Sequence, residues 1–252
     1  MNDFLNTFLN WEYIKQAIPE LLGTGLLNTL ILSVCSAAIG TVLGMVLATM
    51  GLSSKAWLRW PARVYTDIFR GLPAILTILV IGQGGAILIP SLARNPYPLG
   101  ILALSLIAAA YIGEIFRAGI QSVEKGQMEA SRALGLTYTK AMLLVVIPQG
   151  VRRVLPALVN QFIALVKDST LVYFLGFLTE QRELFRIGAD RAANTGNLSP
   201  LVAAGVFYLV ITVPLTHLVN YIDKKLRTGR KVRVDDEGPE TELLNAGKVP
   251  MS

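Results

Sequence analysis

The 252-residue sequence predicts an all-α integral membrane protein with about five transmembrane helices, its N-terminus outside and its C-terminus cytoplasmic. Three observations carry that expectation. The composition is 53% hydrophobic and 16% charged with a mean hydropathy of +0.53, too apolar for an ordinary soluble domain. Apolar runs long enough for spans of roughly 20 residues recur between polar connections. Basic residues gather beside those runs on alternate connections, which reads as a topology signal. The net charge of +6 therefore calls for no nucleic-acid partner. One cysteine, Cys35, lies inside an apolar run, so neither a disulfide framework nor a metal set is expected. Asp3 and Glu12 replace a basic n-region, which argues against a cleavable signal peptide.

Residues 1–20 place Phe4, Leu5, Phe8, Leu9 and Trp11 on one side at helical spacing, as an amphipathic helix lying on the membrane surface would. Pro19 fits the first turn of the next helix. The first span covers 22–52, and Ser36, Gly40, Gly44 and Ala48 make a smooth strip on it for close helix packing. The strip's partner, its own chain or another subunit, stays open at this point. Lys55, Arg59 and Arg63 follow as a basic connection.

The second span is placed at 64–89, with Arg70-Gly71-Leu72-Pro73 weakening its helix in a way membranes tolerate only where neighbours satisfy the backbone. A short polar loop, 91–98, leads to the third span at 99–122. That span carries Glu114 and Arg117, three apart and able to pair, and Gln121. Ionisable groups at this depth are costly and mark either function or a helix-holding salt bridge.

Between the third and fourth spans lies a short polar segment, Glu129-Ala130-Ser131-Arg132-Ala133-Leu134-Gly135. A helix is expected to begin near Glu129, where a carboxylate favours the helix dipole, and to stop at Gly135. Small Ala130, Ser131 and Ala133 would let a partner close over it. The fourth span reaches about residue 174 and holds Asn160, Gln161, Lys167, Asp168, Ser169 and Thr170. Gln161 and Asp168 are seven apart and share a helix face, with small Ala164 between them, which suits a zwitterionic solute. A Lys-Asp network tying helices together is the structural alternative. Residues 175–198 read as an amphipathic external helix, with Glu180, Arg182, Glu183, Arg186, Asp190 and Arg191 nearly balanced in sign. The fifth span, 201–222, contains the lone His217, read as a packed or interfacial residue. A basic stretch from Lys224 to Arg233 then gives way to an acidic tail, and residues 229–252 are expected to be cytoplasmic and disordered.

The spacing Glu129-Ala130-Ser131, Gly135, then Val145-Val146-Ile147-Pro148 resembles the coupling loop of ABC importer permeases. Ala110-Tyr111-Ile112-Gly113-Glu114-Ile115-Phe116-Arg117, Lys125-Gly126-Gln127-Met128-Glu129, Pro148-Gln149-Gly150 and Lys167-Asp168-Ser169-Thr170-Leu171 narrow the likeness. Together they resemble the permease subunit of polar amino-acid importers of the histidine/glutamine/arginine uptake type, over residues 22–228. The resemblance implies a type I ABC importer permease fold in a prokaryotic plasma membrane, with a coupling loop near 124–140. It implies docking of a cytoplasmic ATPase dimer through Glu129, Ala130, Ser131, Ala133 and Gly135. It further implies a second permease subunit and an extracytoplasmic amino-acid-binding protein as partners, with no cofactor on this chain and ATP and Mg in the ATPase. Candidate solute residues are Gln161, Lys167, Asp168, Ser169, Glu114 and Arg117. In arginine- and histidine-type relatives the position of Gln161 is often acidic, so its neutral amide favours a glutamine- or glutamate-like solute. Leu72 and Thr77 depart from the residues common there, Thr and Gln.

Other function classes lose on specific grounds. One His and one Cys without a nucleophile–base or ligand spacing argue against a membrane enzyme. No Gly-x-x-x-x-Gly-Lys-Ser/Thr phosphate loop is present, so ATP hydrolysis is expected in a separate subunit. A permease for a basic amino acid or another small solute is the nearest alternative. An ion-coupled secondary transporter is a more distant one, since internal repeats common in that class are not evident.

Overall fold

The computed structural model describes residues 2–228; the tail at 229–252, with its expected disorder, lies outside them. The chain order is α1 (Asn2–Phe8), α2 (Trp11–Glu20), a π turn (Leu21–Gly25), α3 (Leu26–Gly51), α4 (Ala56–Gly71), α5 (Ala74–Leu88), α6 (Pro90–Ala93) and α7 (Tyr97–Gln121). Then come α8 (Lys125–Ala133), α9 (Tyr138–Ala141), a π turn (Met142–Val146), α10 (Ile147–Arg153) and α11 (Leu155–Asp168). A 3-10 segment (Ser169–Leu175), a second (Thr179–Gln181), α12 (Leu184–Thr195) and α13 (Ser199–Thr228) complete it.

Among the described residues, four helices are long and apolar enough to cross a membrane, five if a bent pair is counted as one span. That pair corrects the single helix expected at 64–89: α4 and α5 meet at 107°. Leu72, forced out of the helical region by the following proline, is extended (φ −83°, ψ 143°), and Pro73 follows at φ −56°, ψ 132°. At 1.5 Å per residue α5 alone is only about 22 Å long, short of a bilayer core. Pro19 also departs from expectation. It lies within α2, and the helix runs through it into the π turn and α3 without a break.

The small-residue strip on α3 meets its own chain. Ser36 donates to the Ile101 carbonyl at 3.2 Å, and all four strip residues are buried. A Cβ on Gly40 would sit 2.8 Å from the Ala108 Cβ, and one on Gly44 would sit 2.9 Å from the Gly113 nitrogen. The matched order, 36 to 101, 40 to 108, 44 to 113, makes α3 and α7 parallel. Leu32, Ile78, Leu104, Ile112, Phe116 and Leu165 close the main core around this pair. Helix α11 runs antiparallel to α7, with Gly119 against Gly150 and Val154 at one end and Gly100 against Val172 and Phe177 at the other. The N-terminal segment breaks at Leu9–Asn10 into two helices, with Phe4, Leu5, Leu9 and Trp11 outward. It is tied to the turn before α13 by Leu198 N–H to the Thr7 carbonyl at 2.9 Å and by Asn10 N–H to the Ser199 hydroxyl at 2.9 Å.

Candidate functional site

Helix α8 begins at Lys125, four residues before Glu129. Glu129 is therefore mid-helix, and the dipole argument for its position does not apply. The end of the helix is as expected. Gly135 N–H donates to the Arg132 carbonyl at 3.0 Å and Leu136 N–H to the Ser131 carbonyl at 3.2 Å, a Schellman closure with Gly135 at φ +86°. A left-handed residue is needed there, which is why glycine occupies it.

The two faces of α8 differ. Ser131 is buried and its hydroxyl donates to the Gln127 carbonyl at 2.7 Å; Gln149 reaches the Gln127 side chain at 3.1 Å. Met128 packs with Ile120, Val123 and Val146, and Arg153 donates to the Ser122 carbonyl. Glu129, Ala130, Arg132, Ala133 and Gly135 face outward, and Leu134 is 85% exposed. So Ser131 anchors the element to its own chain, while Ala130 and Ala133 form the low outer surface.

A second polar set lies at the end of α7. Arg117 holds Glu114 in a two-point contact, Nε to Oε1 at 2.8 Å and Nη2 to Oε2 at 2.7 Å. Arg70, on the last turn of α4, adds a contact to the same carboxylate at 3.5 Å, and its guanidinium stands 5.5 Å from the centre of the Tyr111 ring. Glu114, Arg117 and Arg70 with Arg63 and Asp67 line a cavity of about 370 Å³ between α3, α4 and α7. Three cations against two carboxylates give the cavity a positive balance, able to receive a carboxylate group.

The third set is on α11. Gln161 and Asp168 are half-buried, Lys167 is exposed and Ser169 is buried. Among the described residues Asp168 makes no hydrogen bond or ion pair, so Lys167 and Asp168 are not a network tying helices together. From the α7–α11 register, Asp168 lies opposite a point about nine residues from Glu114, roughly 14 Å along the axis at 1.5 Å per residue. Five of the six candidate solute residues thus occupy two levels of the bundle, Glu114 and Arg117 at one and Lys167, Asp168 and Ser169 at the other, with Gln161 between them.

Sequence reasoning missed Arg70 as a partner of Glu114, although Arg70-Gly71-Leu72-Pro73 marks the break that aims it. It also read Glu183 as a surface charge. Glu183 is fully buried at the start of α12, accepting from Arg186 N–H at 2.7 Å, from Phe185 N–H and from the Tyr208 hydroxyl at 2.9 Å. Burial pushes its carboxyl up to about 7, against the opposing pull of Tyr208 and the two amides. Most of that segment's other charge is paired, Glu20 with Arg182 at 3.2 Å and Arg191 at 2.8 Å, and Asp190 with Arg186 at 2.8 Å, while Glu180 is exposed. His217 is exposed on α13.

Residues 40–228 match the family described as binding-protein-dependent transport system inner membrane component. The chain is 37% identical over 214 residues to the arginine transport system permease protein ArtQ of Bacillus subtilis (strain 168), covering 84% of this chain and 94% of that one. It is 34% identical over 227 residues to the glutamate/aspartate import permease protein GltK of Escherichia coli O157:H7, covering 86% and 97%. Its fold is similar to a chain in the crystal structure of an amino acid ABC transporter with histidines, with a TM-score of 0.73, 30% identity and coverage of 86% and 99%. The MetNI methionine ABC transporter in an inward-facing conformation shares the fold at a TM-score of 0.68 and 22% identity, covering 83% and 97%. The chain belongs to the family of binding-protein-dependent transport system inner membrane components: it is a multi-pass membrane transport subunit, not an enzyme.

Proposed function

We propose that this chain is the permease subunit of an ATP-driven importer that moves a polar amino acid, glutamine- or glutamate-like, into the cytoplasm by alternating access. The outward face of α8 carries the reading: a glycine-closed helix anchored by Ser131 and presenting Glu129, Ala130 and Ala133 to a partner. Its partners are a pair of cytoplasmic ATPases that hold ATP and Mg, a second permease subunit and an extracytoplasmic amino-acid-binding protein. Relatives named for arginine, glutamine, glutamate/aspartate and L-cystine support an amino-acid solute. Closure of the ATPases drives the two α8 elements together, and the break at Leu72–Pro73 lets α4 and α5 move separately as the bundle rearranges. Differential affinity of the two states for solute and partners supplies the coupling.

Asp168, free of a salt bridge to any described residue, receives the α-amino group, while Gln161 donates to or accepts from an uncharged side chain. Lys167, beside Asp168, offsets the α-carboxylate, whereas Arg117 stands at the other level of the bundle, too far along the axis to share one amino acid with Asp168. A cationic solute is the second reading, favoured by the similarity to ArtQ. Binding of radiolabelled L-glutamine, L-glutamate and L-arginine to the purified complex, wild type and Gln161→Glu, separates them. Wild type is expected to prefer glutamine or glutamate, and the substitution to shift preference toward arginine. Arginine preference in wild type, or no shift in the variant, removes Gln161 from the pocket.

The orientation has its own test. In a Cys35→Ser background, cysteines at positions 94 and 190 should be labelled from outside intact cells, and one at 55 should not. External labelling at 55 would overturn both the orientation and the docking of ATPases at α8.

A further inference from the structure

Helix α4 turns its apolar face outward and its polar face into the bundle. Trp57, Pro61, Val64 and Ile68 recur at helical spacing and, with Trp60, make the apolar face; Trp57 and Trp60 are each 69% exposed. Arg63, Thr66, Asp67 and Arg70 lie on the other side, over the C-terminal ends of α3 and α7. Buried Ala62 and Thr66 seat the helix there, and the Tyr65 hydroxyl donates to the Leu106 carbonyl at 2.8 Å. An apolar face outward suits a helix surrounded by lipid, and exposed tryptophans mark the boundary between lipid and water. The cavity between α3, α4 and α7 is thus a polar chamber at the membrane boundary, at the end of the bundle that leads into α8.

We propose that this cavity binds the phosphodiester headgroup of an anionic phospholipid, held by the guanidiniums of Arg63 and Arg70. Arg63 makes no hydrogen bond or ion pair with any described residue, so all its donors are available. Arg70 spends one contact, at 3.5 Å, on Glu114. The two arginines are seven apart on α4, hence on one face and about 10 Å apart along the axis. Two arginine side chains close that span on a single phosphate, one from each end, with charge-assisted hydrogen bonds. Glu114 does not take their place, because Arg117 already holds it at two points. Asp67, between the arginines in sequence, accepts from a headgroup hydroxyl such as those of phosphoglycerol.

The surroundings favour a lipid over a free anion or the transported solute. The α3 wall is Leu47, Ala48 and Gly51, an apolar surface for the glycerol backbone beside the phosphate. The volume of about 370 Å³ is that of a pocket enclosing a small molecule. Basic pockets between membrane helices hold anionic headgroups by the same charge balance. The level of Asp168 is roughly 14 Å away along the axis, too far for one amino acid to bridge the two. A headgroup held by Arg70 fastens α4 to α7 immediately before the break at Leu72–Pro73.

Retention of dioleoylphosphatidylglycerol by the purified complex, read by native mass spectrometry against dioleoylphosphatidylcholine in mixed detergent micelles, tests the site. Micelles offer lipid to both faces, so the result does not depend on the orientation in the membrane. Wild type should retain phosphatidylglycerol preferentially, and Arg63→Gln should weaken its apparent affinity by about tenfold. Gly51→Leu keeps every charge and fills the chamber from α3, and should do the same; a Cβ there meets only the Arg117 Cδ, at 3.6 Å. Lys55→Gln removes an exposed charge outside the cavity and should change the affinity by less than about twofold. No preference in wild type, or an unchanged affinity in Arg63→Gln or Gly51→Leu, overturns the proposal. So does an equal loss in Lys55→Gln, which would mean diffuse attraction to a basic surface. Displacement of the lipid by inorganic phosphate at fixed ionic strength would make the cavity a free-anion site, and displacement by L-glutamine a solute site; either result overturns the lipid assignment.

Discussion

Two short polar helices stand at opposite ends of the bundle, and they spend their polar groups differently. Helix α12 is absorbed into the molecule. Leu184, Ile187, Gly188 and Ala192 are buried, and a Cβ on Gly188 would sit 2.8 Å from the Ala204 Cβ. Its cap, Glu183, is fully buried, and its charges are paired with one another and with Glu20. Helix α8 has one buried residue, Ser131, and turns Glu129, Ala130, Arg132 and Ala133 outward with Leu134 beside them. Charge content alone does not separate the two. What separates them is whether the polar groups find partners in the same chain: α12 braces the bundle, and α8 keeps a face for another protein.

The sharpest break of this contrast is Gly135→Pro. It removes the Gly135 N–H bond to the Arg132 carbonyl and forbids φ +86°, so the end of α8 must change course. ATP-driven uptake should be lost entirely while membrane insertion and thermal stability stay near wild type, because little core lies beneath α8. A large fall in stability would make α8 a structural element like α12.

Glu183→Ala should do the reverse. It leaves two amides and a phenol without a buried partner, which costs about 1–3 kcal/mol and should lower the unfolding temperature of the purified complex clearly. Glu183→Gln keeps an acceptor and should cost less. The pH dependence has a definite sign. Burial raises the carboxyl from its ordinary value near 4.5 to about 7, so its contribution to stability is complete at or below pH 4.5 and is lost as pH rises through about 7. Thermal unfolding at pH 5.5 and pH 8, values chosen about that midpoint, should show a decline that Glu183→Gln reduces. A decline of equal size in Glu183→Gln would assign it to other groups. The smallest effect is expected from Arg191→Ala. Its bridge to Glu20 is partly exposed and worth at most about 1 kcal/mol, and a larger loss would mean that the ion pairs, rather than the buried face, hold α12 in place.

How legible these regions are in the sequence follows the same division. The coupling element is a local pattern: Glu129-Ala130-Ser131 and Gly135 are within one short stretch, and the glycine closure needs only its own backbone. The strip Ser36-Gly40-Gly44-Ala48 is likewise local, since helical spacing alone lines it up. Its partner α7 is a tertiary fact. The break in the second span was visible in Gly71 and Pro73, but its 107° angle depends on what α4 and α5 pack against. Glu183 was unreadable because it sits in a run of alternating charges. Only the folding of α12 onto α3 and α13 decides which of those charges loses its water. Arg70 and Glu114 belong to different helices, and nothing at either position announces the other. Placing Glu114 at a different level from Asp168 requires the offset between α7 and α11, which no spacing within a single helix encodes.

The central claim is that the outward face of α8 transmits ATP hydrolysis to transport. Solute-stimulated ATPase activity of the assembled complex carrying Ala130→Trp tests it most directly, since Ala130 is exposed and its replacement disturbs no core. Assembly and membrane insertion retained with stimulation abolished is the expected result. Normal stimulation in a well-folded Ala130→Trp complex would contradict the account.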